Sequence, residues 1–466
     1  MTLDLSPDDF LRLAEQLARL GRDHLRGLDA RPIQPHVTGA ELDALLATDA
    51  PERGCGEAVV DQLGAILSGC RAQNGRFLGY VMGSGEPAGA AADLLASVVN
   101  QNLTGWRSSP AGVTIERTVV RWLADAIGCH GFGGSLTGGG SSANLMGLAM
   151  AREALAPANA GGARGGVVYA SEEVHMSTGK AVALLGIGRD NLRLVPADAD
   201  HRLRVDLLEE AIHRDRAAGL RPIAVVASAG TVTTGAIDPI ARIADLVARE
   251  RLWLHVDGAY GALAAMVEPA RIGPLGRADS ISLDPHKWLY QPVDCGCLLF
   301  KDPAAARRAF SHTGDYTRSL LEDPVERFAF FEESLELSRR FRALKVWLSL
   351  RYHGVRAFRE SIRTDLALAR RLASAVDARP ELERLAPVPL SAVCFRYRGD
   401  GSRQDAELDR LNQELLLRVV RRGRVFLSNA TLRGRFALRA CIVNHRSTPA
   451  DVEAVVDEVL AAAATA

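Results

Sequence analysis

The stretch Ile240-Ala-Arg-Ile-Ala-Asp-Leu-Val-Ala-Arg249, followed by Leu252-Trp-Leu-His-Val256, decides the fold. Its first part spaces apolar residues as a helix does, and its second part is a short apolar run typical of a buried strand. The same alternation extends over residues 85–300. Short buried strands that alternate with helices indicate an α/β layer with a mainly parallel central sheet.

Further elements of this layer are predicted on both sides of that stretch. Helices are expected at residues 88–100, 113–127, 142–154 and 205–218, and strands at residues 166–170, 223–227 and 280–283. Beyond residue 338, two helices separated near Gly354 precede strands at 392–397 and 436–443, with a helix between those strands. We therefore predict a large α/β domain at 85–338 and a small α+β domain at 339–466. Residues 1–84 are predicted to form a helical arm with little core of its own, which must pack on the main body or on a partner subunit.

Composition and charge exclude several classes of protein. The chain of 466 residues carries 56 basic and 56 acidic side chains, so no net field favours nucleic acid or an anionic membrane. No apolar run approaches the roughly 20 residues that span a bilayer, and the first residues do not resemble a secretory signal. The seven cysteines are scattered, and Cys295 and Cys297 fit one face of a strand better than a metal site. A cytoplasmic protein is expected.

The segment Asp284-Pro285-His286-Lys287-Trp288 follows the strand predicted at residues 280–283. Lys287 then lies just past a strand end, where open α/β sheets bind their ligands. Partial loss of hydration there favours a neutral amine, which can form a Schiff base with an aldehyde cofactor. The alternative is an ordinary surface lysine.

An acidic residue ends the strand predicted at 252–256, in Trp253-Leu-His255-Val-Asp257-Gly258-Ala259-Tyr260. A carboxylate in that place is costly to bury alone. Pyridoxal phosphate requires an imine lysine and an acid that faces its pyridine nitrogen, and Asp257 with Lys287 supplies both. A capping aspartate is the alternative.

The glycine-rich segment Leu136-Thr-Gly-Gly-Gly140-Ser141-Ser-Ala-Asn144 opens a helix. Free backbone N–H groups beside bare glycines make a phosphate cradle. The segment lacks the Gly-Lys-Ser/Thr of a nucleotide-binding loop but matches a weak dinucleotide fingerprint. We expect no strand directly before it, which favours a single phosphate over a dinucleotide.

His175 follows the strand predicted at 166–170 and therefore lies at the same sheet edge. Its ring could stack on a flat cofactor, although a lone histidine is more often structural.

Together these motifs resemble the group II pyridoxal-phosphate decarboxylases, the family of aromatic-L-amino-acid and glutamate decarboxylases. The family pattern H-V-D-A-A-Y is similar to His255-Val-Asp257-Gly-Ala259-Tyr260, and N-P-H-K-W is similar to Asp284-Pro-His286-Lys287-Trp288. The pattern G-R-R-F-R-x-L-K is similar to residues 338–345, Ser-Arg-Arg-Phe-Arg-Ala-Leu-Lys. The resemblance covers nearly the whole chain, and the combination of motifs is more specific than any one of them.

The resemblance implies a fold-type I, aspartate-aminotransferase-like homodimer with active sites at the subunit interface. It implies that Lys287 carries pyridoxal phosphate covalently, that Asp257 faces the ring nitrogen, and that His175 stacks on the ring. Phosphate binding falls to Gly140 and Ser141. Further cofactor contacts are implied for four residues: Thr231, Ala259, Asp284 and His286.

The resemblance also suggests the reaction, which is loss of carbon dioxide from an L-amino acid, most simply an aromatic one. Tyr316 resembles the loop tyrosine that protonates the product, whereas members with phenylalanine there tend toward aldehyde formation. The sequence departs from the family in three places. Asp284 replaces asparagine near the expected phosphate, so it must face away, be protonated or bond a neighbouring donor, and Val232 follows Thr231 where a threonine pair is common. Residues 79–84, at the front of the pocket, lack a Tyr-Phe-Pro run, which leaves the substrate open.

Several alternatives to this reaction remain at this point. On the same cofactor they are a glutamate or diaminobutyrate decarboxylase, an aldehyde synthase and a transaminase. In other classes they are a nicotinamide-dependent oxidoreductase that uses residues 138–143 and a non-catalytic partner subunit.

Overall fold

The computed structural model describes residues 3–163, 165–312 and 322–464 of the chain. The α-helices are α1 (Pro7–Arg26), α2 (Gly39–Leu46), α3 (Val59–Gly69), α4 (Pro87–Val99), α5 (Pro110–Ala126), α6 (Gly140–Leu155), α7 (Met176–Leu184), α8 (Val205–Ala217), α9 (Ile240–Glu250), α10 (Pro269–Ile272), α11 (Pro285–Trp288), α12 (Pro303–Phe310), α13 (Ala343–Asp377), α14 (Asp405–Arg422) and α15 (Pro449–Ala463). The strands are β1 (Gly133–Thr137), β2 (Val167–Ser171), β3 (Leu192–Val195), β4 (Pro222–Ser228), β5 (Trp253–Asp257), β6 (Ser280–Leu283), β7 (Gly296–Phe300), β8 (Leu382–Arg384), β9 (Ala392–Tyr397), β10 (Ser428–Leu432) and β11 (Arg435–Cys441).

A seven-stranded sheet in the order β1-β7-β6-β5-β4-β2-β3 forms the centre of the molecule. The strands β2, β3, β4, β5 and β6 are parallel to one another, whereas β7 runs antiparallel to both of its neighbours, β6 and β1, so that β1 has the same direction as the parallel strands. Helices such as α6 and α9 follow the strands and cover the sheet, because each buries an apolar face against it. The predicted α/β fold with a mainly parallel sheet is confirmed.

The strand β1 corrects one prediction, since we expected no strand before the glycine-rich segment. Strand residues Gly133 and Gly134 lack the branched side chains that usually signal a strand. A Cβ atom on Gly134 would lie 2.3 Å from the carbonyl oxygen of Leu298, so the close pairing with β7 requires glycine there. β1 pairs with the reversed strand β7 and is separated from β2 by four strands of the sheet, so β1, α6 and β2 do not form the unit of adjacent parallel strands that a dinucleotide fingerprint requires.

A second, antiparallel sheet in the order β10-β11-β9-β8 lies in the C-terminal part of the chain and packs a separate apolar core. Helix α13 leads into it and is interrupted at Gly354, where φ is 78°. The separation of two helices near Gly354 is thus found as predicted. The domain boundaries at residues 84 and 338 stay a prediction.

None of the helices in the described ranges is both long and apolar enough to cross a membrane. Cys295 and Cys297 are buried and free; Cys297 lies within β7, as predicted, whereas Cys295 directly precedes this strand.

Candidate active site

The predicted lysine and aspartate lie at the carboxyl ends of neighbouring parallel strands. Asp257 ends β5, where it pairs in register with Ser282 of β6, and Lys287 lies on α11 directly after β6. Both side chains line one cavity of about 630 Å³. The amine and the acid therefore face a common space, which is the arrangement that the sequence predicts.

Three donors fix the carboxylate of Asp257. The side-chain nitrogen of Asn144 donates to Oδ2 at 2.9 Å, while the hydroxyl of Ser282 and the backbone N–H of Ala259 donate to Oδ1 at 3.1 and 3.2 Å. Asp257 is only 7% exposed. Hydrogen bonds to an ionised group are strong and directional, so this carboxylate is held in one orientation.

Lys287 is partnered rather than isolated. Its Nζ lies 2.9 Å from Oδ2 of Asp284, and Nε2 of His286 lies 3.6 Å from the same oxygen. The other oxygen of Asp284 is buried and has no hydrogen-bond partner within the described ranges. The aspartate that replaces the family's asparagine thus pairs with the amine of Lys287 and lies beside the ring of His286.

The glycine-rich segment forms the start of α6. Gly139 adopts φ 136° and caps the helix without a side-chain hydrogen bond. A Cβ atom on Gly140 would lie 2.7 Å from Cβ of Ala259 and 3.0 Å from Oδ2 of Asp284, so this position has no room for a side chain. Gly140 and Ser141 line the cavity, and a helix start opening into it suits an anionic group.

The two histidines at this sheet edge both line the cavity. His175 caps α7, and its Nδ1 accepts from the backbone N–H of Ser177 at 3.2 Å. Burial lowers the pKa of His175, although the nearby Asp257 opposes the shift. Burial also lowers the pKa of His286, whose Nδ1 lies 2.7 Å from the carbonyl oxygen of Cys295. Neutral rings are therefore favoured at both positions.

Thr231 is a predicted site residue that is not among the residues lining the cavity. The hydroxyl of Thr231 lies in a turn, 3.2 Å from both Oγ1 of Thr234 and the backbone nitrogen of Ala236, while Val232 and Thr233 line the cavity instead. A cofactor contact for Thr231 stays a prediction without support from these contacts. Tyr316 lies outside the described residues.

Arg439 of β11 lines the cavity and was missed in the sequence. It is 3% exposed, and it donates to the carbonyl oxygens of Thr233 at 2.9 Å and Tyr80 at 3.2 Å and to Oγ of Ser428 at 3.2 Å. Its Nη2 has no hydrogen-bond partner in the described part of the chain. A buried guanidinium with a free donor can bind a carboxylate. The signal was an arginine within an otherwise apolar strand.

The fold and this geometry define an α/β enzyme in which a lysine and an aspartate face one cavity beside a glycine-rich helix start. The chain belongs to the pyridoxal-dependent decarboxylases, because the family model described as "Pyridoxal-dependent decarboxylase conserved domain" matches residues 41–398. The resemblance seen in the sequence is confirmed, and the protein is a pyridoxal-phosphate-dependent amino-acid decarboxylase.

Similar proteins share the full length of the chain. The aromatic-L-amino-acid decarboxylase of Bacillus atrophaeus is 33% identical over 458 residues, which cover 96% of this chain and 94% of that relative. The crystal structure of Oryza sativa TDC with PLP and tryptamine has a TM-score of 0.93 at 28% identity, covering 100% of this chain and 99% of that one. Catharanthus roseus tryptophan decarboxylase in complex with L-tryptophan has a TM-score of 0.88 at 27% identity, covering 100% of both.

The residues present fit pyridoxal phosphate. The cofactor requires an amine, an acid for its ring nitrogen and a site for its phosphate, and Lys287, Asp257 and the helix start at Gly140 border one cavity. Because Gly140 has no side chain, none covers the backbone N–H groups at the start of α6 on the cavity side.

Proposed function

We propose that this enzyme removes the carboxyl group of an aromatic L-amino acid and releases the amine. The observation that carries the proposal is the convergence of Lys287, Asp257 and Arg439 on one cavity. The mouth of that cavity is lined by exposed apolar side chains: Tyr80, Met176, Val232 and Val293. An apolar mouth around one carboxylate-binding cation suits an amino acid with an aromatic side chain. The names of the relatives, which include tryptophan and tyrosine decarboxylases, support this substrate class.

Each group of the cofactor has a candidate partner in the cavity. Lys287 would bind it covalently through Nζ, Asp257 would pair with the ring nitrogen, and His175 would pack on the ring. Gly140 and Ser141 would hold the phosphate. The bound cofactor supplies an electron-withdrawing ring that accepts the electrons left behind by carbon dioxide.

Arg439 would bind the substrate carboxylate and so orient the bond that breaks. Orientation of this kind lowers the barrier before any chemistry begins. Among the described residues lining the cavity, the only other lysine or arginine is Lys287, which the cofactor would occupy. A substrate with a second carboxylate, such as glutamate, would then lack a free cation, and the aromatic class is favoured.

Tyr316 is the predicted proton donor, and an amine-product screen tests its role together with the substrate. We expect purified enzyme supplied with pyridoxal phosphate to form amine and carbon dioxide fastest from tryptophan, tyrosine or phenylalanine. The variant Tyr316→Phe is expected to lose at least about 90% of amine formation, since the phenol would supply the proton. Hydrogen peroxide and aldehyde are measured in parallel.

Two results of this screen would oppose the proposal. Faster turnover of glutamate or diaminobutyrate than of any aromatic amino acid would overturn the substrate class. Aldehyde and peroxide as the main products of the wild-type enzyme would replace simple decarboxylation by decarboxylation coupled to oxidative loss of the amino group, with molecular oxygen as the oxidant.

A homodimer accounts for apolar side chains that the chain leaves exposed. On α4 these are Leu94, Leu95, Val98 and Val99, each 43–53% exposed, and α1 exposes Phe10, Leu11 and Leu17 as well. Apolar surface of this extent marks an interface. We therefore propose that the arm, residues 1–84, and α4 pack against a second copy next to the active site. Sedimentation of the protein as a monomer at micromolar concentration would refute this assembly.

A reducing compartment, the cytoplasm, is the proposed location. All seven cysteines are free, and five of them are buried. Fractionation that places the protein in an oxidising compartment would exclude it.

A further inference from the structure

Asn144 of α6 connects the two sides of the candidate site and uses every hydrogen-bonding group of its side chain. It is 1% exposed. Its Nδ2 donates to Oδ2 of Asp257 and to Oγ of Ser177, both at 2.9 Å, and its Oδ1 lies 2.9 Å from Nε2 of His255. A buried amide with three well-placed partners has a defined orientation.

The donor and acceptor roles follow from the two ends of this network. The carboxylate of Asp257 only accepts, so the nitrogen of Asn144 faces it and the amide oxygen faces His255. At the far end the indole of Trp253 only donates, at 2.9 Å, to Oγ of Ser280, which lies 2.8 Å from Nδ1 of His255. Burial lowers the pKa of His255 to about 4, so the ring is neutral and its one proton is on Nε2. Both ends therefore give the same orientation of the amide.

The second branch of the network ends on His175. Oγ of Ser177 accepts from Asn144, which leaves its own proton for Nδ1 of His175 at 2.8 Å. The backbone N–H of Ser177 donates to the same nitrogen at 3.2 Å. With two donors on Nδ1, the neutral ring of His175 carries its proton on Nε2.

Gly147 gives the network its space. A Cβ atom on Gly147 would lie 2.5 Å from both Cε1 and Nδ1 of the buried His255 ring. The ring can lie against α6 and reach Asn144, one turn earlier, only because residue 147 has no side chain.

We propose that Asn144 is a positioning residue that sets both the orientation of the Asp257 carboxylate and the tautomer of the His175 ring. The inference rests on the proposed function, in which these two groups contact the ring of the cofactor. Asn144 itself acts through them. Its loss should therefore lower the catalytic rate more than the apparent affinity for substrate.

The test compares Asn144→Asp, which keeps the shape but removes the donor to Asp257, with Ser177→Ala, which cuts only the branch to His175. Ser282→Ala is the matched comparison, because it removes one donor from Asp257 and leaves Asn144 in place. A hydrogen bond to a charged group corresponds to roughly 10- to 100-fold in rate and one between neutral groups to roughly 2- to 10-fold, so we expect kcat to fall about 100-fold in Asn144→Asp, about 10-fold in Ser282→Ala and about fivefold in Ser177→Ala. The KM for substrate should change less than about threefold in all three variants.

One further readout does not depend on turnover. Nitrogen NMR of histidine-labelled, cofactor-free protein should show the Nε2–H tautomer of His175 in the wild type and a mixture in Asn144→Asp and Ser177→Ala. The double variant Asn144→Asp/Ser177→Ala should lose no more kcat than Asn144→Asp alone, because Asn144→Asp already breaks the branch that runs through Ser177 to His175.

The outcomes separate this inference from the proposed function. If the wild-type protein binds no pyridoxal phosphate, the proposed function fails. If Asn144→Asp binds the cofactor and keeps kcat within threefold of the wild type, the positioning role is overturned. If Asn144→Asp does not fold, Ser177→Ala decides, because an unchanged kcat with an unchanged tautomer of His175 would also overturn the role.

Discussion

Replacing Lys287 by alanine is expected to lower amine formation by at least about 1,000-fold, because the side chain would be the covalent attachment point of the cofactor. Lys287 lines the cavity and lies 2.9 Å from Asp284, so its removal also leaves that buried carboxylate without its nearest cation. Reduction of wild-type protein with borohydride should fix the cofactor to the peptide that contains residue 287. In Lys287→Ala the same treatment should leave the polypeptide unlabelled in mass spectrometry.

Lys301→Ala is the matched control for this variant. Lys301 is exposed and follows β7, away from the residues that line the cavity. We expect it to retain labelling at residue 287 and wild-type turnover. Amine formation by Lys287→Ala at the wild-type rate would show that Lys287 is not the attachment point of the cofactor.

Replacing Arg339 by leucine should destabilise the fold by about 3–5 kcal/mol, since it leaves a buried carboxylate without its partner. The side chains of Arg339 and Glu116 form an ion pair that is 1% and 0% exposed. Arg339 also donates to the carbonyl oxygens of Leu103 and Leu136, and its guanidinium lies 4.3 Å from the centre of the Phe330 ring. Urea unfolding at fixed protein concentration measures the loss.

The neighbouring Arg340 offers a control of the same residue type. Its side chain is 60% exposed and pairs with Asp294 at 3.1 Å, so Arg340→Leu should cost less than about 1 kcal/mol. Equal losses for the two variants would mean that burial of the Arg339 pair contributes nothing. Since Leu136, whose carbonyl oxygen accepts from Arg339, is the first residue of the glycine-rich segment, Arg339→Leu should also weaken cofactor binding.

The strands that could be predicted are those that the fold buries on both faces. In β4 and β5, branched and aromatic side chains form continuous apolar runs, and the predicted bounds lie within two residues of the observed ones. The short strands β3, β8 and β10 were missed, as each has an exposed or half-buried residue at every second position or more often. Such strands form because they pair with neighbouring strands, and their own residues show little strand preference.

The candidate site likewise contains residues that could be predicted from the sequence and residues that could not. Asp257 and Lys287 follow strands directly, so their position on the sheet edge could be inferred from local sequence. Asn144 and Arg439 could not, because Ser177 and Asp257, which bind Asn144, and Thr233, which binds Arg439, each lie more than 30 residues away along the chain. The pairing of Lys287 with Asp284 likewise depends on the turn at Pro285 and emerges only in three dimensions.

Residues of the large sheet and its helices form one wall of the cavity, and residues of the small sheet form the opposite wall. The residues that would hold the cofactor belong to β5, α6, α7 and α11, whereas Asn429 and Thr431 line the opposite wall and belong to β10, at the edge of the small sheet. Both side chains are exposed. Directed evolution restricted to these two positions can therefore retune substrate preference while the catalytic apparatus keeps its geometry.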